Sequence, residues 1–375
     1  MHISHYLGLS GIGGVQRNFV EYLNTAISLD CGIKHTVYTL GKVDEQYRLP
    51  VDVLDIKNPI NFIALLFDVI SKNTIVHFYN NIASLKVALF LIFIPVNKLI
   101  LHERGTIWSA TSRYRILVKF SVWRSSMVLA NSNATKTMLV EKFSISKEKI
   151  KVIHNGINIH HQCAKNKISG SKYKVGYIGR FEAHKGVHIL VDAMKYIKST
   201  NIELNLAGSG PLEDYLKFSA KNRRNIYFSG RVLDPYEFIN DLDLLVVPSI
   251  REPLGNVCLE AGLCKVPVIA ANIDGIPEII KDQISGILLD PVYPIPSELI
   301  EIGVSIPDFV VNPRTQKLTK PKQLDSIQLA KKIIEISNDV ELQKRCVKSL
   351  YNKVIKDFSI ERYRMELHNI YRSIN

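Results

Sequence analysis

Short apolar runs alternate with helical patterning along this chain, in two successive series. The first series has runs at 36–40, 74–78, 98–101, 127–130 and 150–153; the second has them at 174–178, 203–207, 226–229, 244–248 and 267–270. Strands that alternate with helices form parallel sheets, because a parallel pair needs a long crossover and the crossover helix covers the sheet face. At 375 residues the chain exceeds what one hydrophobic core usually holds. The expectation is an α/β protein of two facing, Rossmann-like, doubly wound domains. The N-terminal domain covers 1–165 and the C-terminal one 172–358, with the polar stretch 158–172 as a linker. Ligands of such sheets bind beyond the carboxyl ends of the strands, so an interdomain cleft is where chemistry is expected.

The basic charge is uneven. Residues 1–170 hold 20 Lys and Arg against 10 Asp and Glu, a net of +10, so the rest contributes only +3 of the chain's +13. A basic half calls for anionic company: lipid headgroups, a phosphorylated substrate or nucleic acid, with a solvated face as the plain alternative. The apolar run 87–94, closed by Pro95, falls far short of the roughly 20 residues of a membrane span and reads as a buried helix. The segment 112–124 mixes Arg113, Lys119 and Arg124 with Trp123 at helical spacing, which fits docking on an anionic membrane or, equally, a core helix with a wet basic edge. The N-terminus lacks the basic-then-apolar pattern of a signal peptide. The cysteines Cys31, Cys163, Cys258, Cys264 and Cys346 show neither CxxC nor metal-ligand spacing, as in a reducing cytoplasm.

Two motifs carry chemistry. GRFEAHKG (179–186) follows the run 174–178 and precedes a helical pattern from Val187. Arg180 then sits at a strand's carboxyl end and Lys185 beside a helix start, where cations and helix amides can hold a diphosphate. Two solvated cations in a turn would explain the spacing equally well. The second motif, REPLGNVCLE (251–260), follows the run 244–248. Pro253 and Gly255 force a tight loop, a helix starts near Asn256, and Glu260 falls on its second turn. Glu252 and Glu260 are spaced to grip two ends of a polyhydroxylated ligand; a solvated Glu252 and a Glu260 paired along the helix face are the simpler reading.

GRxxxxKG followed by E(x7)E resembles the family-4 retaining glycosyltransferases of the two-Rossmann-domain (GT-B) type, in their bacterial surface-polysaccharide branch. Further segments agree: VIHNGI (152–157), LAGSGPL (206–212), VVPS (246–249), GIPEI (275–279) and SGIL (285–288). The resemblance implies that Arg180 and Lys185 bind the donor diphosphate and stabilise it as it leaves. It implies that Glu260 bonds the ribose and that Glu252 contacts the transferred sugar, with the loop Leu254, Gly255, Asn256 and Val257 and the turn at Gly179 beside the donor. Gly13 and Gly14, in a glycine-rich loop, would let backbone approach the donor closely. His102 would lie near the reacting sugar, with Glu103 a lesser candidate. The resemblance implies a nucleotide-diphosphate sugar as co-substrate, UDP or GDP favoured, with no permanent cofactor and no metal. The acceptor class it points to is a polyprenyl-diphosphate-linked oligosaccharide at an anionic membrane surface, for a cytoplasmic protein peripheral on the inner face of the cell membrane. A same-fold epimerase, a soluble-acceptor transferase and, remotely, a nucleic-acid binder stand as alternatives.

The last helix, 359–374, is expected to pack back on the first domain. An insertion at 303–321, within a proline-rich stretch from Pro291 to Pro321, is expected to lie on the surface without touching the motifs. Asp241 and Asp243 look like a DxD metal motif but precede a strand, the wrong end for a ligand. The glycines at 8–14 do not have GxGxxG spacing, which disfavours a dehydrogenase. His160 and His161 are expected to be solvated.

Overall fold

A computed structural model describes residues 1–11, 13–29, 32–161, 172–301 and 306–375. Cys31, Cys163, most of the expected linker and the start of the expected insertion lie outside the described residues. The chain divides into two compact units, one of Met1–Asn158 with Phe358–Asn375 and one of Ile159–Asp357.

The first unit runs β1 (His2–Tyr6), α1 (Gly14–Leu29), β2 (Lys34–Thr39), β3 (Val53–Asp55), α2 (Pro59–Ile70), β4 (Thr74–Tyr79), α3 (Leu85–Phe93), β5 (Leu99–Glu103), α4 (Arg115–Arg124), β6 (Met127–Ala130), α5 (Asn133–Phe143) and β7 (Ile150–Val152). The second runs β8 (Tyr173–Ile178), α6 (Val187–Ala193), β9 (Ile202–Ala207), α7 (Glu213–Ala220), β10 (Ile226–Gly230), α8 (Pro235–Asn240), β11 (Leu244–Val247), α9 (Asn256–Leu263), β12 (Val268–Ala271), α10 (Ile276–Ile279), β13 (Ile287–Leu289), α11 (Ser297–Glu301), β14 (Val310–Asn312), β15 (Lys317–Thr319), α12 (Ser326–Asn338) and α13 (Val340–Asp357). The last helix, α14 (Ile360–Ile374), belongs to the first unit.

Both main sheets are parallel. Their strand orders are β3-β2-β1-β4-β5-β6-β7 and β10-β9-β8-β11-β12-β13. Each order reverses direction once, at β1/β4 and at β8/β11, and those gaps are where a doubly wound sheet offers a crevice. Central strands such as β11 and β12 are buried throughout, so they read as continuous apolar runs rather than alternating ones.

Right-handed crossovers put α1 on one face of the first sheet and α2, α3 and α4 on the other. The α1 face is sealed by α14. Phe19, Tyr22 and Leu23 pack with Ile3, Ile75 and Ile100 beneath Tyr363, Leu367, Ile370 and Tyr371. Ser359 caps α14 by accepting a hydrogen bond from the Arg362 amide, which supplies one of the acceptors a helix start lacks.

Several sequence expectations are corrected. β1 was not among the expected runs; it alternates Ile3 with Ser4 and His5, all fully buried. The helix at 87–94 forms, but it is not buried: only Val87, Ala88 and Leu91 are, while Leu89, Ile92 and Phe93 are exposed. The described part of the stretch 303–321 lies largely at the surface, as expected, but it is structured. It contains the antiparallel β14–β15 hairpin, with Val310 and Val311 buried. His160 is exposed, as expected, but His161 is only partly so: it stacks on Tyr236 at 4.1 Å between ring centroids and approaches Asp234. Arg124 donates to the carbonyls of Leu91 and Ile94 at the end of α3, so it is occupied in holding two helices together. Among the described residues, no helix is long and apolar enough to cross a membrane.

Candidate active site

The site motifs of the second unit meet at its sheet reversal. β8 and β11 are hydrogen-bonded neighbours; GRFEAHKG leaves the end of β8 and REPLGN the end of β11. The join is tight. Gly186 has φ of +71°, and a Cβ there would stand 1.9 Å from the Pro248 carbonyl oxygen, so only glycine lets the two turns touch. The Arg180 turn is held by the Tyr177 hydroxyl, which donates to the Arg180 carbonyl at 2.8 Å, and by LAGSGPL, whose Ser209 carbonyl accepts from the Phe181 amide.

Lys185 and Glu252 form an ion pair at 2.7 Å, with both side chains largely buried. Ser249 Oγ donates to the same Glu252 carboxylate at 3.4 Å. Arg180 pairs with Glu182 at 2.5 Å, but its side chain is 63% exposed. Such a pair contributes roughly 0–1 kcal/mol and exchanges readily for another anion. Glu182 also faces His184 Nδ1 at 3.1 Å. Burial, reinforced by Arg251, Lys185 and Arg180, pulls the His184 pKa down to about 2, so it stays neutral and donates to Glu182. Burial likewise lowers the Arg251 pKa.

Glu260 lies on the second turn of α9. The buried Cys258 thiol is pushed up by desolvation and then by Glu252 and Glu260, against Lys185, which places those charges in one neighbourhood. Gly255, with φ of +97°, starts α9 without a side-chain cap, leaving its amide end to backbone or ligand partners. At the other turn, the amides of Lys185 and Gly186 are spent on the carbonyls of Glu182 and Ala183. Leu254 is buried, while Asn256 and Val257 are partly exposed on the first turn of α9.

Sequence reasoning passed over Asp274. Its Oδ2 accepts from the Glu252 amide at 2.9 Å and its Oδ1 from the Val311 amide at 2.6 Å. The hairpin in the 303–321 stretch is thereby linked to the Glu252 loop through one buried carboxylate that both bond. Glu182, His184 and Arg251 were inside the quoted motifs yet had no assigned role.

The first-unit candidates lie in different settings. Gly14 is the first residue of α1, and the Gly13 amide donates to the Tyr47 hydroxyl, which in turn donates to Gly11. A Cβ at Gly11 would meet nothing, so local packing does not demand glycine there. His102 lies within β5 rather than after it, buried in the α14-covered core. Its Nδ1 is 3.2 Å from His77 Nε2, and His77 reaches the Tyr371 hydroxyl at 2.7 Å. Burial, then Arg104, holds His102 well below its ordinary pKa of 6.5. The Glu103 carboxylate accepts from Gly105, Thr106 and Ile107 and shapes that turn. Asp241 and Asp243 sit at the amino end of β11, bonded to the Lys174 ammonium and amide respectively.

Residues 13–161 match the model of Glycosyltransferase Family 4, and residues 159–295 match that of Glycosyl transferases group 1. The chain belongs to the family-4 glycosyltransferases. Relatives of this chain include a 41.2 kDa protein in the cps region of Klebsiella pneumoniae, 30% identical over 47% of this chain and 50% of that one. Another is the capsular polysaccharide biosynthesis glycosyltransferase CapM of Staphylococcus aureus, 29% identical over 47% of this chain and 51% of that one. The chain spans about half the length of these curated relatives. The solved structure of Anabaena Alr3699/HepE in complex with UDP-glucose superposes with a TM-score of 0.75 over 100% of both chains at 20% identity, which shows a shared two-Rossmann fold.

Proposed function

We propose that the protein is a retaining glycosyltransferase that moves a sugar from a nucleotide diphosphate to a lipid-linked oligosaccharide during bacterial surface-polysaccharide biosynthesis. The observation that carries the reading is the Lys185–Glu252 pair at the β8/β11 reversal, with Arg180 exposed beside it. A diphosphate arriving there exchanges Glu182 for phosphate oxygens on Arg180 and draws on Lys185, while Glu252 turns to sugar hydroxyls. Glu260 takes the ribose. The amide end of α9 adds partial positive charge.

In the reaction, the bond from the anomeric carbon to the diphosphate oxygen breaks and a bond to the acceptor hydroxyl oxygen forms on the same face. The acceptor's proton goes to the departing phosphate. Charge grows on the leaving diphosphate, so preplaced cations lower the barrier electrostatically, and no protein nucleophile or metal is called for. Roles for His102, Gly13 and Gly14 toward the donor rest on the family resemblance alone.

The surface-polysaccharide setting is supported by the cps-region and capsular relatives, and a UDP-sugar donor by the UDP-glucose bound to the Anabaena protein. The reading of a lipid-linked acceptor and a cytoplasmic, membrane-peripheral location is supported by the basic first half and the scattered thiol pattern. The test is incubation with radiolabelled UDP- and GDP-sugars and a polyprenyl lipid extract. The reading expects label in the organic phase; label appearing only in soluble products would move the assignment to a soluble-acceptor transferase or an epimerase.

A further inference from the structure

Helices α2, α3 and α4 are apolar on two opposite sides. Their inner sides carry Leu65, Val69, Val87, Leu91, Val118 and Val122, all buried. Their outer sides carry a second set at helical spacing: Ile60, Ile63 and Phe67 on α2, Leu89 and Phe93 on α3, and Ile116 and Trp123 on α4, all exposed. Phe67, Phe93 and Ile116 are 71%, 78% and 83% exposed. The helices are neighbours: Phe62 meets Phe90 edge to face, and Arg124 ties α4 to the end of α3. Together they make one apolar face on the side of the sheet away from α1 and α14. A helix that is apolar all round is ordinarily enclosed, and an exposed patch of this kind marks a docking surface.

Its charge states the occupant. From Pro59 to Arg124 the acidic residues are Asp68 and Glu103 alone, and neither serves the face. Asp68 accepts from Ser4 and Tyr38 on the sheet side, and Glu103 is fully buried. Lys72, Lys86, Arg113 and Lys119 are exposed on or beside these helices, Lys86 in line with Leu89 and Phe93 and Lys119 between Ile116 and Trp123. Apolar side chains bordered by cations, with no outward acid, match the headgroup and acyl boundary of an anionic bilayer. We infer that the α2–α3–α4 face seats the protein on an anionic lipid surface, with Phe67, Phe93 and Trp123 entering the interface. The occupant rests on the lipid-linked acceptor of the proposed function, but its test reads no sugar transfer.

The test is cosedimentation with vesicles of phosphatidylcholine alone and of phosphatidylcholine mixed with phosphatidylglycerol, with tryptophan emission recorded in parallel. Trp108 is 1% exposed and Trp123 71%, so a vesicle-induced blue shift reports α4. The wild type partitions onto the anionic vesicles, with emission shifted and binding weakened by salt. Phe67→Glu with Phe93→Glu weakens partitioning at least about tenfold, with melting and nucleotide-sugar binding unchanged. Lys86→Gln with Lys119→Gln weakens it and flattens the salt dependence. Wild type left in the supernatant, or the Phe double variant partitioning normally, overturns the inference. So does a wild-type dimer in ultracentrifugation that the Phe double variant abolishes, which would give the face to a second copy. Loss of nucleotide-sugar binding with vesicle binding intact would strike the donor reading and leave this one standing.

Discussion

Arg180 and Lys185 differ in how they are held, and their substitutions should differ accordingly. Both Arg180→Ala and Lys185→Ala are expected to cut turnover at least about 100-fold, the scale of one lost preorganised charge contact, with the fold retained by circular dichroism. Arg180→Ala removes only a surface pair and leaves stability unchanged. Lys185→Ala strands the largely buried Glu252 carboxylate and lowers the melting temperature as well. Near-normal rates for either variant would reject the phosphate-binding role. Asp274 offers a separate test. Asp274→Ala leaves the Glu252 and Val311 amides without this acceptor, at about 1–3 kcal/mol per buried group. Asp274→Asn keeps one carbonyl oxygen and should lose less stability in denaturant melts; equal losses would contradict the shared-carboxylate account.

At the scale of elements, the α14-covered face of the first sheet contains His5, His77 and His102, all held well below their ordinary pKa of 6.5 by burial first; neighbouring histidines add to this at His5 and His77, and Arg104 at His77 and His102. The folded state keeps them neutral, so below about pH 6.5 the unfolded chain binds protons that the native chain does not. Stability is therefore full above that pH and falls as pH drops, by up to about 1.4 kcal/mol per pH unit for each histidine. Melting between pH 7.5 and 5.5 should show this slope, and His77→Phe should flatten it; an unchanged slope in the variant would place the proton uptake elsewhere. This layer also shows what the sequence conceals. The apolar runs disclosed the strands that present continuous Val, Ile and Leu, such as β11 and β12, because burial on both faces removes polar residues. β1 stayed hidden because its buried polar residues are a serine and a histidine, whose burial depends on bonds made to Asp68 of α2 and His35 of β2. The exposure of α3 was hidden for the converse reason: apolarity tells that a surface avoids water, not whether protein or something else covers it. The placement of Arg180, Lys185 and Glu252 after strands, and of Glu260 on the helix that follows, was legible from spacing. Asp274 was not, since its role depends on a hairpin some forty residues away in sequence.

For the whole molecule, the account rests on a donor site assembled within the second unit, where two turns meet at the sheet reversal. A ligand that binds only the native chain stabilises it by RT ln(1 + L/Kd), where L is the free ligand concentration, so binding and melting report the same site. The most direct test is calorimetric titration of UDP-glucose and the corresponding GDP-, ADP- and dTDP-sugars into the wild type and into Arg180→Ala. The account predicts saturable binding of at least one nucleotide sugar to the wild type, weakened at least about tenfold in the variant, as expected when a charge-assisted contact is lost. Binding of none, or equal binding to both proteins, would contradict it.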